Sequence, residues 1–185
     1  MIDETLLESI DKMERAVAHA QNAFSSVRTG RAAPALVEKL LVHYYGTDVP
    51  LQQLAGFSVP EARQLLVKPH DPTTLNAIEK AIRDSDLGLA PSNDGVVIRL
   101  NFPALTADRR KEYVKMVKNM AEDGRVAIRN IRRDARKHLE AAEKASDISA
   151  DELERAEKEL DKITHDHVEH LDKAMTKKEA ELLEV

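Results

Sequence analysis

Residues 106–152 read TADRRKEYVKMVKNMAEDGRVAIRNIRRDARKHLEAAEKASDISADE, and two periodicities run through them. Val114, Val117, Ala121, Gly124, Ile128, Ile131 and Ala135 recur at alternating steps of three and four, which puts them on one face of an α-helix as a heptad seam. Thr106 is placed to cap that helix and Asp108 lies in its first turn, where a carboxylate meets the positive end of the helix dipole. The pattern runs to about Ala145. Ser149 and Glu152 then form a capping box, flanked by Ile148 and Leu153 as a hydrophobic staple, so a further helix starts there. Its seam is Leu153, Ala156, Leu160, Ile163, Val168 or His167, Leu171, Ala174 or Met175, and Leu182. Four residues between two long helices dictate an antiparallel hairpin.

Working outward, Leu6, Ile10, Met13, Val17, Ala20, Phe24 and Val27 repeat the same rhythm, predicting a first helix from about Asp3 to Thr29 that Gly30 ends. At 1.5 Å per residue the later helices are about 60 and 54 Å long and the first about 40 Å. With the first helix ending beside the start of the second, its N-terminus is expected level with about residue 132. All seven prolines lie between residues 34 and 103, and five of six glycines between 30 and 95. Helix interiors disfavour both, so this stretch reads as an inserted domain of turns and strands. Strands are expected at Leu36–Tyr45, Gln64–Lys68 and Val96–Phe102, with a short helix from Thr73 or Thr74 to Asp84. The expected fold is α+β: an elongated antiparallel three-helix bundle from residues 1–30 and 105–185, with a small inserted β/α/β domain at 31–104. The chain crosses between them twice, at Thr29-Gly30-Arg31 and at Pro103-Ala104-Leu105. Two such linkers make a hinge with one dominant bending axis; the other reading is a rigid junction.

At 42% hydrophobic and 33% charged residues, with 3% aromatic, the chain has the material for a core of Leu, Ile, Val and Ala. Cysteine is absent, which excludes disulfides and thiolate metal sites. The acidic start, Met1 to Glu8, has neither the basic nor the apolar part of a signal peptide, and no apolar run approaches the roughly 18 residues of a membrane span. A cytoplasmic protein without membrane contact, acting as a monomer, is expected. The net charge of −5 conceals a segregation. Residues 105–145 hold twelve basic and seven acidic side chains, and residues 146–185 hold six and thirteen.

The basic excess is ordered. Lys111, Lys115, Lys118, Arg125, Arg129, Arg132 and Arg136 follow the same three-four rhythm, all but Lys111 one residue after a seam position, interrupted only by Glu122, with Arg109, Arg110, Arg133 and Lys137 nearby. They form a line about 100° round from the seam. Towards the far end the cations are mostly arginine, whose planar fork suits phosphate and base contacts better than lysine's point charge. A phosphate polyanion is the natural partner. The alternative is that these charges pair with the acidic third helix, through Glu152, Glu154, Glu157, Glu159, Asp161, Asp166 and Glu169. His165, His167 and His170 cluster on that helix; His167 and His170 could share a face, but no third metal ligand is evident, and His167 reads as a core-edge residue. No phosphate-binding loop, nucleophile elbow or zinc-protease motif occurs, so neither an enzyme, a cofactor nor a metal is expected.

Two stretches are also specific in themselves: Val27-Arg28-Thr29-Gly30-Arg31-Ala32, and Val126-Ala127-Ile128-Arg129-Asn130-Ile131-Arg132-Arg133-Asp134-Ala135. Together with Tyr44-Tyr45-Gly46-Thr47, Glu79-Lys80-Ala81-Ile82, Ser85-Asp86-Leu87-Gly88-Leu89 and Leu105-Thr106-x-x-Arg109-Arg110-Lys111, they make the whole chain resemble the bacterial ribosome recycling factor family. The resemblance implies an L-shaped pair of domains joined by a flexible elbow. It implies a bundle that lies along large-subunit rRNA in the intersubunit space after termination, and subunit splitting driven by elongation factor G with GTP. The factor itself would bind no nucleotide. By motif, Arg129, Arg132 and Arg133 would contact rRNA, Arg132 above all, with Arg125, Arg136, Arg109 and Arg110 along the same helix. Arg28 and Arg31 would lie near the elbow, with Gly30 and Pro103 as its pivots. The rival classes are a helical chaperone or scaffold, marked by an exposed apolar seam, and an RNA-binding protein without ribosome preference.

Overall fold

The seam that opens at Val114 does form a helix. In the computed structural model, which describes residues 1–184, α1 (Ile2–Ser25), α4 (Ala107–Lys144) and α5 (Ala150–Leu183) are the long helices. Between them lie β1 (Leu41–Tyr44), β2 (Thr47–Pro50), α2 (Leu51–Leu54), β3 (Ala55–Glu61), β4 (Gln64–Pro69), α3 (Leu75–Arg83), β5 (Pro91–Asn93) and β6 (Ile98–Asn101). The chain divides into two compact units, Met1–Phe24 with Lys111–Val185, and Ser25–Arg110.

In the first unit, Met13, Val17, Ala20 and Phe24 of α1 are buried, as are Val117, Ala121, Ile128, Ala135 and Leu139 of α4 and Leu160, Ile163 and Leu171 of α5. All three helices meet at Gly124. A Cβ there would lie 3.1 Å from Leu171 Cδ1 and 3.4 Å from Ala20 Cβ. The turn between α4 and α5 is closed from both sides. Ser146 adopts a left-handed φ of 62°, and the amides of Ser146 and Asp147 donate to Glu143 O and Ala142 O, each at 2.9 Å. That is a Schellman ending with serine where glycine is usual. Two residues later the capping box forms as expected. Ser149 Oγ accepts from Glu152 N at 3.3 Å, while Ser149 N donates to Glu152 Oε2 at 2.8 Å.

Two expectations for α1 need correction. The helix ends at Ser25, not Thr29. Its N-terminus also passes the level of residue 132, because Ile2 and Leu6 line a small cavity with Glu152, Arg155 and Ala156 of the first turns of α5. Seam packing sets this register: Ala20 sits opposite Gly124, so the first turns of α4 run on past the end of α1.

The second unit holds more strand than the sequence pattern suggests. β1 and β2 form a hairpin with Tyr44 opposite Thr47, and a four-stranded antiparallel sheet has the order β3-β4-β6-β5. Residues 36–40, expected as strand, are not: Pro34–Leu36 is a 3-10 turn, and strand begins only at Leu41. Pro34, with its fixed φ, starts the turn, and its carbonyl accepts from Val37 N at 3.0 Å. Strands β2, β3 and β5 lie outside the expected set. β3 tolerates Pro60 because it is an edge strand, where a missing donor faces no neighbour. Helix α3 falls where expected, introduced by Asp71 Oδ1 accepting from Thr73 N at 2.9 Å. Val42, Leu51, Leu65, Val67, Ile78, Ile82, Ile98 and Leu100 form the core of this unit.

Candidate RNA-binding face on α4

The basic stripe is exposed along most of its length, but the structure sorts its members by what already holds them. Arg125 is the most confined, its side chain 19% exposed. Its Nε and Nη2 reach Asp172 Oδ1, each at 2.8 Å, and its Nη1 reaches Glu122 Oε2 at 2.8 Å. Nη2 also meets Met175 Sδ at 3.5 Å. Burial is the largest single influence on this guanidinium and lowers its pKa; the bonds to Glu122 and Asp172 together outweigh it and leave the pKa raised. Arg136 is similarly occupied, its Nε 2.9 Å from Glu157 Oε1 and 3.1 Å from Glu140 Oε1.

The middle of the stripe is looser. Arg132, 45% exposed, has one ion-pair partner among the described residues, Asp161, with Nη1 3.5 Å from Oδ1. Arg129, 54% exposed, meets Glu122 Oε1 at 3.3 Å. The Glu122 carboxyl is held below its ordinary pKa, first by its hydrogen bond from Arg125 and then by both guanidiniums. Lys111, Lys115, Arg133 and Lys137 are exposed and make no ion pair among the described residues. Exposed pairs are worth only about 0–1 kcal/mol, so a phosphate can displace Asp161 from Arg132 at small cost. Displacing both carboxylates from Arg125 costs more.

The expected pairing with the acidic third helix is therefore tight at Arg125 and Arg136 and loose at Arg132. As α4 advances from Lys118 through Arg125 and Arg132 to Arg136, the acidic partners on α5 retreat from Glu179 through Asp172 and Asp161 to Glu157. This is the antiparallel register written in charge. Glu157 and Asp161 were among the acids expected there. Asp172, the strongest partner, was not, and only the register set by Gly124 and Leu171 brings it to Arg125.

The remaining candidate arginines are placed elsewhere. Arg28 is half-buried, and its Nη2 donates to Leu87 O, which fastens it inside the second unit. Arg31 is exposed, and its amide donates to Thr29 Oγ1 at 3.3 Å. Arg109 is exposed at the start of α4, with its amide on the Thr106 cap at 3.2 Å. Arg110 is half-buried, with a buried Nε that has no hydrogen-bond partner among the described residues. Among the hinge candidates, Gly30 has φ +81°, and a Cβ on it would lie 3.3 Å from Leu105 N. The crossings Thr29-Gly30-Arg31 and Pro103-Ala104-Leu105 thus run side by side. Hydrogen bonds pin the residue beyond each, Ala32 N to Ala62 O and Phe102 N to Arg63 O, both 2.8 Å. His167 Nδ1 lies 2.7 Å from Ile163 O. Among the described residues no group of three or more His, Cys, Asp or Glu is arranged to hold a metal ion. No helix is long and apolar enough to cross a membrane.

The ribosome-recycling factor of Acidothermus cellulolyticus is 54% identical over 185 residues, and that of Paenarthrobacter aurescens is 56% identical, each covering both chains completely. A solution structure of the ribosome recycling factor superposes with a TM-score of 0.81 at 39% identity, covering all of this chain and 98% of the other. Models of the T. thermophilus ribosome recycling factor and the E. coli elongation factor G bound to the E. coli post-termination complex include a chain that matches with a TM-score of 0.72 at 46% identity, both chains covered in full. The family model described as Ribosome recycling factor matches residues 20–183, and the chain belongs to the ribosome recycling factor family.

Proposed function

We propose that this chain recycles ribosomes after translation termination, in the cytoplasm and without catalysing a covalent step itself. The outward face of α4 lies against large-subunit rRNA in the intersubunit space, and elongation factor G with GTP then drives the factor so that the subunits part. The observation that carries this reading is the middle of the stripe. Arg129, Arg132 and Arg133 stand together on the exposed face, with one ion-pair partner or none among the described residues, ready for the bidentate phosphate contacts that arginine favours. Family membership over the full chain supplies the partner. Subunit separation also needs one part of the factor to move while another stays attached. The paired crossings at Thr29–Arg31 and Pro103–Leu105 suit an elbow, because a left-handed glycine and a proline sit at the points where φ/ψ changes concentrate.

Purified post-termination ribosomes test this directly. With elongation factor G and GTP, the chain should split them into subunits, read by light scattering, and should bind them in preference to unrelated RNA. Equal binding to unrelated RNA with no splitting would support instead an RNA-binding or chaperone-like scaffold without ribosome specificity.

A further inference from the structure

Charge in the second unit is gathered at one end. Three stretches, residues 25–35, 61–64 and 102–110, meet where the two crossings enter it. Ala32 N donates to Ala62 O and Phe102 N to Arg63 O, both at 2.8 Å, and Leu105 N lies 3.3 Å from where a Cβ on Gly30 would stand. These stretches hold five arginines, Arg28, Arg31, Arg63, Arg109 and Arg110, with no lysine and only two acids, Glu61 and Asp108. The rest of the unit, residues 36–60 and 65–101, holds five basic and seven acidic side chains. The positive field is therefore concentrated at the crossings, where it attracts anions.

Arg28 is engaged by Leu87 O and Arg110 is half-buried, which leaves Arg31, Arg63 and Arg109 exposed. Arg63 is the best presented of the three. It stands in the two-residue link between β3 and β4, where Glu61 pairs with Gln64. The carbonyls of both link residues, Ala62 and Arg63, are taken by the crossings on either side, so the backbone under this side chain is fixed. Its guanidinium has no ion-pair partner among the described residues. A cation on a fixed backbone, with no internal partner to give up, binds at little ordering cost. Either a phosphate or a carboxylate would match it, and position favours phosphate. Arg109 lies in the first turn of α4, and the exposed Lys111 and Lys115 lead from it along the same helix towards Arg129, Arg132 and Arg133. From Arg109 to Arg133 is about 36 Å at 1.5 Å per residue. We propose that Arg63, flanked by Arg31 and Arg109, is a second phosphate-binding site for RNA, carried by the inserted unit. The inference rests on the ribosome-recycling reading and gives the RNA a hold beyond the arginines in the middle of α4.

Arg63→Gln separates the contact from the fold, because the fold makes no use of the guanidinium. Its affinity for purified large subunits should fall about tenfold, the loss of one charge-assisted contact. Its Tm should stay within about 2 °C of wild type. Unchanged affinity, or a loss accompanied by a lower Tm, overturns the proposal. A p-benzoylphenylalanine placed at the neighbouring exposed position, Ala62, and irradiated on the same subunits should attach to RNA. Attachment to a protein, or none, overturns it as well. Wild-type chain that shows these effects on large subunits, yet splits no post-termination ribosomes with elongation factor G and GTP, would strike instead at the recycling reading.

Discussion

Arg133 and Arg125 lie two turns apart on α4, and the structure predicts opposite consequences for their loss. Arg133→Ala removes an exposed guanidinium with no ion-pair partner among the described residues. A charge-assisted hydrogen bond is worth about 1.5–3 kcal/mol, so ribosome affinity should fall about 10- to 150-fold, with stability within about 0.5 kcal/mol of wild type. Arg125→Ala removes the contacts to Asp172, Glu122 and Met175. With Asp172 still partly open to water, the cost should be about 1–2 kcal/mol of stability, or roughly 2–8 °C in Tm, and affinity should change little. Arg132→Ala falls between. Its phosphate contact must displace Asp161 at 3.5 Å, which takes up to about 1 kcal/mol from the gain; by the same reasoning Asp161→Asn should tighten binding about fivefold. Sedimentation with purified large subunits and thermal melts of the same variants measure both quantities. If Arg125→Ala loses more affinity than Arg133→Ala and melts like wild type, then existing ion pairs do not decide which arginines reach RNA.

Four further outcomes are expected. With about three phosphate contacts, the log–log slope of affinity against salt should lie near −2 to −3; a flat dependence in filter binding or sedimentation would point to a protein surface. Cysteines introduced together as Thr29→Cys and Ala104→Cys should lock the elbow when oxidised, provided the Cα atoms lie within about 7 Å: ribosome binding should persist, splitting should stop and reduction should restore it, whereas full activity in the oxidised protein excludes a required swing. Ser146→Gly should raise stability by about 0.5–1 kcal/mol in denaturant titration, because it removes a left-handed φ of 62° from a residue with a Cβ. The Glu152 carboxyl is held below its ordinary value of 4.5 by the Ser149 amide and then by its hydroxyl. A depressed carboxyl stabilises above its unfolded pKa and loses that contribution as pH falls through the folded value, so Glu152→Gln should flatten the decline of Tm below about pH 4.5.

The long helices were legible from local pattern because their information is local. The Thr106 cap, the Ser149–Glu152 box and the heptad seams each lie within a few residues of what they specify. The small unit was harder, since β3 pairs with β4 through a bulge between Ser58 and Glu61, and Gly56 and Pro60 hide its strand character. Gly30 was read as the stop of α1, but its positive φ serves the close approach to Leu105, and the helix ends earlier at Ser25. The arginine stripe was visible at once. Which of its members are already neutralised was not, because that depends on how α5 is registered against α4.

Gly124 bears on that register in one more way. A seam built largely of Ala, Val, Ile and Leu is nearly degenerate: slide one helix by seven residues, and similar side chains face each other again. At Gly124 the degeneracy breaks, because Leu171 Cδ1 stands 3.1 Å from where a Cβ would be. Slipping α4 by one heptad would bring Val117 or Ile131 into that space, and neither leaves room for the leucine. Slipping α5 instead would offer Thr164 or Lys178, a hydroxyl or an ammonium in place of an aliphatic side chain. One absent side chain thus acts as the notch of a key, and it selects a single axial alignment out of several that the hydrophobic pattern alone would accept.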